Sequence, residues 1–518
     1  MSAVKHSTTM IVKQGRTGRM SPFDMSGVVR TGDGVLRYSG LARSLIDMFL
    51  ASVERAPDAE CVVVLGGERV TYRQLWERSA RVAGGLRATG VRPGDRVANR
   101  YGNGLDWCLA FWGTLMAGAV VVPVNTRFSA DEVSYVVTDA GAEVVLGSDS
   151  PLPDGEMFVT DAAEHSTLAA LMYTSGTTGF PKGAMVTHEN FLSNIETGMR
   201  ALQIPAGVAI RNLISVPLFH ATGCNSQLLP TIHLGGTAVI MPTFDVQAFL
   251  RSVADDNINV LTSVPAIYWL AMHQPNFADF DYSGVGWVTY GGAPTPPDVV
   301  ARLRTSFPNA RLANGFGLTE TSSVSTVLPD EFAESRPETV GLAAPPVELD
   351  LLDPDAATGV GELLIRGQNV VAGYWNNPEK TAETFVDGWL HTGDLARIDD
   401  EGFVQIVDRL KDMICRGGEN VYCVEVENAL AQHPGIFEAA VLGVPDEMMG
   451  EKVGAVVVPL PGAELDEREI HAFVKDRIAD YNAPQYVSFR AEPLPRNPAG
   501  KVLKPALREQ MQWGEEIR

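Results

Sequence analysis

The segment MYTSGTTGFPKGAMVTHEN, Met172 to Asn190, gathers the residue types of an anion site into one short stretch. Gly176, Gly179 and Gly183 can turn backbone N–H groups inward with no side chain in the way. Thr174, Ser175, Thr177 and Thr178 add hydroxyl donors, Lys182 adds positive charge, and Pro181 stiffens the chain just before that lysine. The spacing is not that of a Walker A loop, G-x-x-x-x-G-K-[ST]: the residue five after Gly176 is Pro181, and Lys182 is followed by Gly183. Gly, Ser and Thr also dominate ordinary exposed turns, so the loop taken alone leaves a phosphate cradle and a bare turn as open alternatives.

Such a loop needs rigid elements on both sides, and the sequence supplies their pattern. CVVVL (Cys61 to Leu65), AEVVLG (Ala142 to Gly147), NLISVPLF (Asn212 to Phe219), TAVIM (Thr237 to Met241) and INVLTSVP (Ile258 to Pro265) read as buried strands. Helical patterns lie between them, such as LARSLIDMFLASVERA and FSADEVSYVVTDA, the second opened by Ser129 as a cap. Strands alternating with helices predict parallel sheets covered on both faces. After about residue 345 the character changes: VELDLLD, GELLIRG and GFVQIVDR read as short antiparallel strands, followed by a compact α+β pattern to the end.

Composition narrows the class. A chain of 518 residues exceeds a single core and predicts two or more domains. Net charge of −22 argues against nonspecific nucleic-acid binding, so a polyanionic ligand must meet local basic residues. Five cysteines form no C-x-x-C pair and no two histidines stand at metal-ligand spacing, which points to a reducing cytoplasm without structural zinc. The first forty-odd residues are polar, with no apolar core of a secretory signal, and read as a mobile arm. The uncharged run WCLAFWGTLMAGAVVVPV, Trp107 to Val124, is broken by Gly113, Gly118 and Pro123 and reads as a buried helix and strand rather than a membrane span.

Several separated segments then read together. YTSGTTGFPKG resembles the phosphate loop of the adenylate-forming superfamily, which contains acyl-CoA synthetases, luciferases and peptide-synthetase adenylation domains. TYGGAP (Thr289 to Pro294), NGFGLTET (Asn314 to Thr321), GYWNNPEKTAETFVDGWLHTGDL (Gly373 to Leu395), VDRLKDMICRGGENVYCVEVE (Val407 to Glu427) and PLPRNPAGKVLKPALRE (Pro493 to Glu509) resemble its later motifs, in its order. The resemblance implies an α/β fold: a large N-terminal domain of parallel and mixed sheets wound with helices, a distorted barrel subdomain, and a small mobile α+β C-terminal domain. It divides the chain into a polar arm (1–42), a large AMP-binding domain (43–410) and a small domain (411–518).

The chemistry implied is a carboxylate attacking the α-phosphate of ATP, giving acyl-AMP and pyrophosphate, followed by thioester formation with CoA. Catalysis of the first step is mainly positioning and electrostatics. Thr174, Ser175, Gly176, Thr177, Thr178, Gly179 and Lys182 would hold the outer phosphates. Glu320 resembles the Mg²⁺-associated glutamate, with Thr319 beside it on the α-phosphate. Gly291, Gly292 and Ala293 would form one adenine wall. Asn314, Gly315, Phe316 and Gly317 would form the other, with Phe316 where the family usually has tyrosine. Asp394 resembles the ribose-binding aspartate and Arg409 its neighbour on the same sugar. Lys501 resembles the adenylation lysine and Lys411 the hinge. Gly417, Gly418 and Glu419 belong to the loop that lines the pantetheine tunnel, beside Arg416. His220 resembles a histidine at the junction of carboxylate site and tunnel. Cys423 departs from the pattern, since many relatives carry proline there.

The segments expected around the acyl group, near His220, Val264 to Trp269 and Tyr290 to Ala293, hold no Lys, Arg, Asp or Glu, which predicts an apolar acid and first of all a fatty acid. Three readings compete: a CoA ligase for such an acid (fatty, aromatic or polycyclic), an adenylating enzyme that loads a carrier protein, and a non-catalytic relative. The presence of Lys182, Glu320, Asp394, Arg409 and Lys501 disfavours the last. No transmembrane segment is expected; peripheral membrane contact and a homodimer are compatible with the sequence.

Overall fold

Two sheets with mainly parallel cores carry most of the chain; they were resolved in a computed structural model that describes residues 21–517 apart from 175–180, 206, 294, 418 and 497–501. The larger sheet has nine strands in the order 342–343, 326–328, 311–316, 287–291, 260–263, 211–214, 237–240, 60–64 and 69–71. Its inner strands run parallel, while the edges close with antiparallel pairs. The second sheet runs 142–146, 96–99, 120–123, 168–174 and 182–187, and only its last pairing is antiparallel.

The uncharged run beginning at Trp107 behaves as its glycines and proline predict. Helix Leu105–Met116 and strand Val120–Pro123, the middle strand of the second sheet, are almost wholly buried. No helix among the described residues is long and apolar enough to cross a membrane. Ser129 caps helix Ala130–Ala140 and closes a capping box with Glu132.

One strand falls short of its expectation. The run NLISVPLF is strand only over Arg211–Ile214. From Ser215 the backbone leaves the sheet, because Pro217 offers no N–H to a ladder and the next residues must turn into the short helix Ala221–Gly223. The described part of the arm, from residue 21, differs from its expectation. Residues 28–38 form a hairpin, Val28–Arg30 against Leu36–Tyr38, docked on the body. The Tyr38 hydroxyl donates to the Pro345 carbonyl at 2.7 Å, and Arg30 pairs with Glu348 at 2.7 Å.

A third, antiparallel sheet follows, from strands Glu348–Leu352, Gly361–Arg366, Phe385–Val386, Trp389–Ile398 and Val404–Arg409. Lys411 lies between this sheet and the last one. The last sheet pairs Ile414–Arg416 with Glu419–Val421 and sets Ile436–Asp446 against Gly450–Pro459, with helices Cys423–Ala431 and Glu467–Lys475 packed around its own apolar core.

Candidate active site

Four neighbouring parallel strands of the nine-stranded sheet release the chain at their carboxyl ends, where open α/β sheets bind ligands. After Arg211–Ile214 the chain reaches His220; after Val260–Ser263 it enters helix Pro265–Met272. After Trp287–Gly291 comes Gly292, and after Arg311–Phe316 comes Gly317. Residues named from three separate motifs therefore share one rim.

Glycines are required at two places on this rim. Gly291 pairs with Gly315 in parallel register, and a Cβ at Gly291 would lie 2.0 Å from the Gly315 carbonyl oxygen. At Gly317 a Cβ would lie 1.4 Å from the Ser323 oxygen, so the chain folds tightly back on itself around the turn Thr319–Thr321. Ser322 and Ser323 close that turn with φ of 53° and 118°, backbone angles that cost non-glycine residues energy and persist only where contacts enforce them. The contacts are present: the Asn225 amide donates to the Ser322 carbonyl at 2.9 Å, and Ser226 and Ser323 share a hydroxyl bond of 2.6 Å. Asn225 and Ser226 lie in the turn Cys224–Leu228 just beyond His220, which ties the His220 segment to the Glu320 turn.

Lys182 and Glu320 meet through a residue to which the sequence reading gave no role. Strands Leu168–Thr174 and Lys182–Thr187 are antiparallel, with Thr174 opposite Lys182. Tyr374 bridges to Ala184 on the second of these strands, fixed further by Met185 N–H to the Gly373 carbonyl and Trp375 N–H to the Gly183 carbonyl. From there the Tyr374 hydroxyl donates to Glu320 Oε1 at 2.7 Å, and Lys182 Nζ lies 5.1 Å from the centroid of the Tyr374 ring. Burial, then Lys380, pushes the Lys182 ammonium below the usual lysine range, against Glu320 and Glu383, which pull it up. Tyr374 is pushed well up, first by burial and then by the Glu320 charge, so it donates as a neutral phenol. No period or spacing marks Tyr374; its place in GYWNNPEKT was the available signal.

Asp394 and Arg409 face each other in antiparallel register on strands Trp389–Ile398 and Val404–Arg409. Arg409 Nε lies 3.1 Å from Asp394 Oδ1, and Asp394 is almost entirely buried. Asn314 is buried and donates to the Thr339 carbonyl at 3.2 Å. The Phe316 ring is half-buried and packs on the apolar cluster of the antiparallel sheet around Val347, Leu363 and Ile365. His220 caps the turn Ala221–Gly223, its ring centroid 4.6 Å from that of Phe219.

Residues of the small domain are placed differently. Gly417 takes φ of 60° and donates to the Met449 carbonyl at 2.7 Å, and Glu419 pairs with Arg416 across a two-strand turn. Lys411 Nζ lies 4.0 Å from Asp412 Oδ2. Ser175, Gly176, Thr177, Thr178, Gly179, Gly418 and Lys501 lie outside the described residues, and Ala293 is described as an exposed bend beside Gly292. The chain flanks Lys501 with an antiparallel bridge between Arg496 and Val502 and with helix Lys504–Gln510.

The family described as AMP-binding enzyme matches residues 49–375, and its C-terminal domain matches residues 425–501. The chain belongs to the AMP-binding enzyme family. It is 37% identical to a feruloyl-CoA synthase of an Amycolatopsis species over 475 residues, covering 86% of this chain and 94% of the relative. It is 36% identical to the long-chain-fatty-acid–CoA ligase FadD13 of Mycobacterium tuberculosis over 475 residues, covering 85% and 93%. Among solved structures it resembles o-succinylbenzoate coenzyme A synthetase of Bacillus subtilis in complex with ATP and magnesium ion, with a TM-score of 0.81 and 28% identity over 89% of this chain and 99% of that one. Membership makes this chain an AMP-forming acid–CoA ligase that uses ATP, Mg²⁺ and CoA.

Proposed function

We propose that the enzyme converts an apolar carboxylic acid, first of all a fatty acid, to its acyl-adenylate at the rim just described and then to its CoA thioester. The observation that carries the reading is the convergence of Lys182, Tyr374 and Glu320 from three distant segments, with Glu320 in the turn that follows the strand of Gly315, which pairs with Gly291. On this reading Lys182 and the loop before it hold the outer phosphates, and the half-buried ammonium is worth more there than in water. Asp394, oriented by Arg409, accepts from the ribose hydroxyls. Lys501 bridges the substrate carboxylate and the α-phosphate, His220 stands where carboxylate site and thiol path meet, and Lys411 is the pivot between a large domain (43–410) and a small one (411–518).

The metal fits this donor set. Among the described residues no group of three or more His, Cys, Asp or Glu side chains could hold an ion by itself. Magnesium is commonly held by one or two carboxylates together with substrate phosphates, and Glu320, fixed by Tyr374, is such a carboxylate. When bound, the ion neutralises charge on the phosphates; Tyr374 keeps Glu320 aimed and Thr319 adds a hydroxyl beside it.

The apolar tail is inferred from the lining. The stretch from Val216 to Leu229, Val264 to Trp269 and Tyr290 to Ala293 carry no Lys, Arg, Asp or Glu, so a second carboxylate or an amine on the substrate would be desolvated without a partner. The feruloyl-CoA synthase relative favours a second reading, an aromatic acid. Five free thiols, four of them buried, suit the reducing cytoplasm. The test is purified enzyme with ATP, Mg²⁺, CoA and a panel of fatty, phenylpropanoid and polycyclic acids, scored for thioester. Acyl-CoA from apolar acids and none from dicarboxylates is the expected result. Acyl-AMP that accumulates without acyl-CoA from any acid would transfer the assignment to carrier loading.

A further inference from the structure

Two adjacent residues of the small domain, Tyr422 and Cys423, make contacts across the pivot, and Phe437 adds a ring contact with Trp269. The Tyr422 ring is buried against Leu395 and Val407 of the antiparallel sheet that precedes Lys411, and against Val360 just before one of its strands. Cys423 opens helix Cys423–Ala431 and is wholly buried. Its backbone N–H donates to Asp408 Oδ2 at 2.5 Å, and its thiol donates to the Asp412 carbonyl at 3.0 Å. Asp408 stands before the pivot and Asp412 after it, so one residue grips both sides of Lys411. The other Asp408 oxygen accepts from the Arg409 N–H at 2.7 Å. Helix Lys504–Gln510, three residues beyond Lys501, reaches the same knot: Lys504 pairs with Glu427 at 2.8 Å and Arg508 with Asp412 at 3.6 Å.

We propose that Cys423 is a positioning residue, a latch that holds the small domain in the pose described by donating to Asp408 and Asp412 on either side of the pivot. It rests on the proposed two-step reaction, in which the small domain turns about Lys411. Turning there must part the Cys423 N–H from the Asp408 carboxylate, a charge-assisted bond in a buried setting and therefore among the stronger ones. The latch sets how readily the enzyme passes from adenylation to thioester formation. Through Lys504 and Arg508 it also couples the segment that carries Lys501 to the pivot.

The decisive variant is Cys423→Pro, which removes both donors. Proline is well accepted at the first residue of a helix, where its N–H has no helical partner and its φ is already suitable, so the fold should persist. Arg409 and Lys411 offer trypsin two half-exposed cleavage points on the pivot. Cleavage there, without substrates, should quicken about tenfold in Cys423→Pro, the size expected for losing a bond to a charged group. It should quicken about threefold in Cys423→Ala, which keeps the N–H, and stay unchanged in Cys423→Ser, which keeps both donors. Asp408→Ala should fall short of Cys423→Pro only by the part that Cys423→Ala loses, and the double variant should go no further than Cys423→Pro alone, since both remove the same bond from the Cys423 N–H to Asp408. The ratio of thioester formation from synthetic acyl-AMP to adenylate formation should move with the cleavage rate. Cleavage at the wild-type rate in Cys423→Pro, or effects that multiply in the double variant, would overturn the latch. A wild-type enzyme that adenylates no acid would sink the proposed reaction instead, while the cleavage series would still read the latch.

Discussion

The rim of the large sheet and the knot around Lys411 hold their polar groups in opposite ways. At the rim, the backbone that carries Glu320, Tyr374 and Lys182 is fixed by strand pairing and by glycine-to-backbone approaches, and one hydrogen bond joins Tyr374 to Glu320. Around Lys411, Asp408, Cys423, Asp412 and Lys504 are held by hydrogen bonds and ion pairs across a chain segment with an exposed Leu410. Packing forces resist displacement in every direction, whereas a few polar bonds can be exchanged for others at small net cost. On the proposed reaction, a phosphate site formed in advance and a pivot that must turn call for those two solutions respectively.

The largest expected effect removes the small domain's contribution to the first step. Lys501→Ala should lower adenylate formation about 10²–10³-fold, the usual cost of one transition-state donor, and leave thioester formation from synthetic acyl-AMP largely intact. Equal loss in both half-reactions would show that Lys501 does not act in one conformation only. Lys411→Pro tests the pivot itself, because proline holds φ near −65° and blocks a backbone swing. Thioester formation should drop by more than about tenfold with adenylation preserved; unchanged turnover would place the pivot elsewhere.

Tyr374→Phe tests the rigid region. Loss of its bond to the Glu320 carboxylate should slow adenylation about tenfold with the KM for the acid unchanged, read as kcat against KM at saturating ATP. If instead the KM for the acid rises and kcat holds, Tyr374 shapes the acyl site rather than the metal ligand.

The smallest effects at neutral pH are titrations, of opposite sign in the two regions. His188, buried in the large domain and accepting from the Leu45 N–H, has its pKa lowered to about 4, first by burial. Its folded pKa lies below the unfolded value near 6.5, so its contribution is present above pH 6.5 and is lost as pH falls toward 4, about 3 kcal/mol in all. Asp408, facing Lys504, Arg409, Cys423 and Glu427, has its pKa raised to about 6, first by burial. Its contribution is therefore present below about pH 4 and is lost as pH rises through 6. Chemical unfolding from pH 4 to 8 should show that His188→Gln flattens the acid limb and that Asp408→Asn stabilises increasingly as pH rises from 4 to 6, with no further gain above. Parallel profiles for wild type and variants would remove both assignments.

Local patterns carried much of this molecule. The Ser129 cap, the buried helix and strand after Trp107 and the antiparallel strands after residue 345 follow from periodicity, capping and turn chemistry, each set by residues a few positions apart. The order of motifs was enough to name the family. Other features needed the fold. The run from Asn212 to Phe219 reads as one strand, but the rim requires the chain to leave the sheet at Ser215 and turn at His220. Tyr374 aims Glu320 only because residues 374 and 184 are brought together by sheet pairing. Cys423 reads as a departure at one helix start; its partners at 408 and 412 become visible when the chain folds back over Lys411. Sequence determines what lies within a turn or two of each residue. Which distant backbone N–H meets which carboxylate is decided by sheet order and packing, since no spacing along the chain encodes a contact made through space.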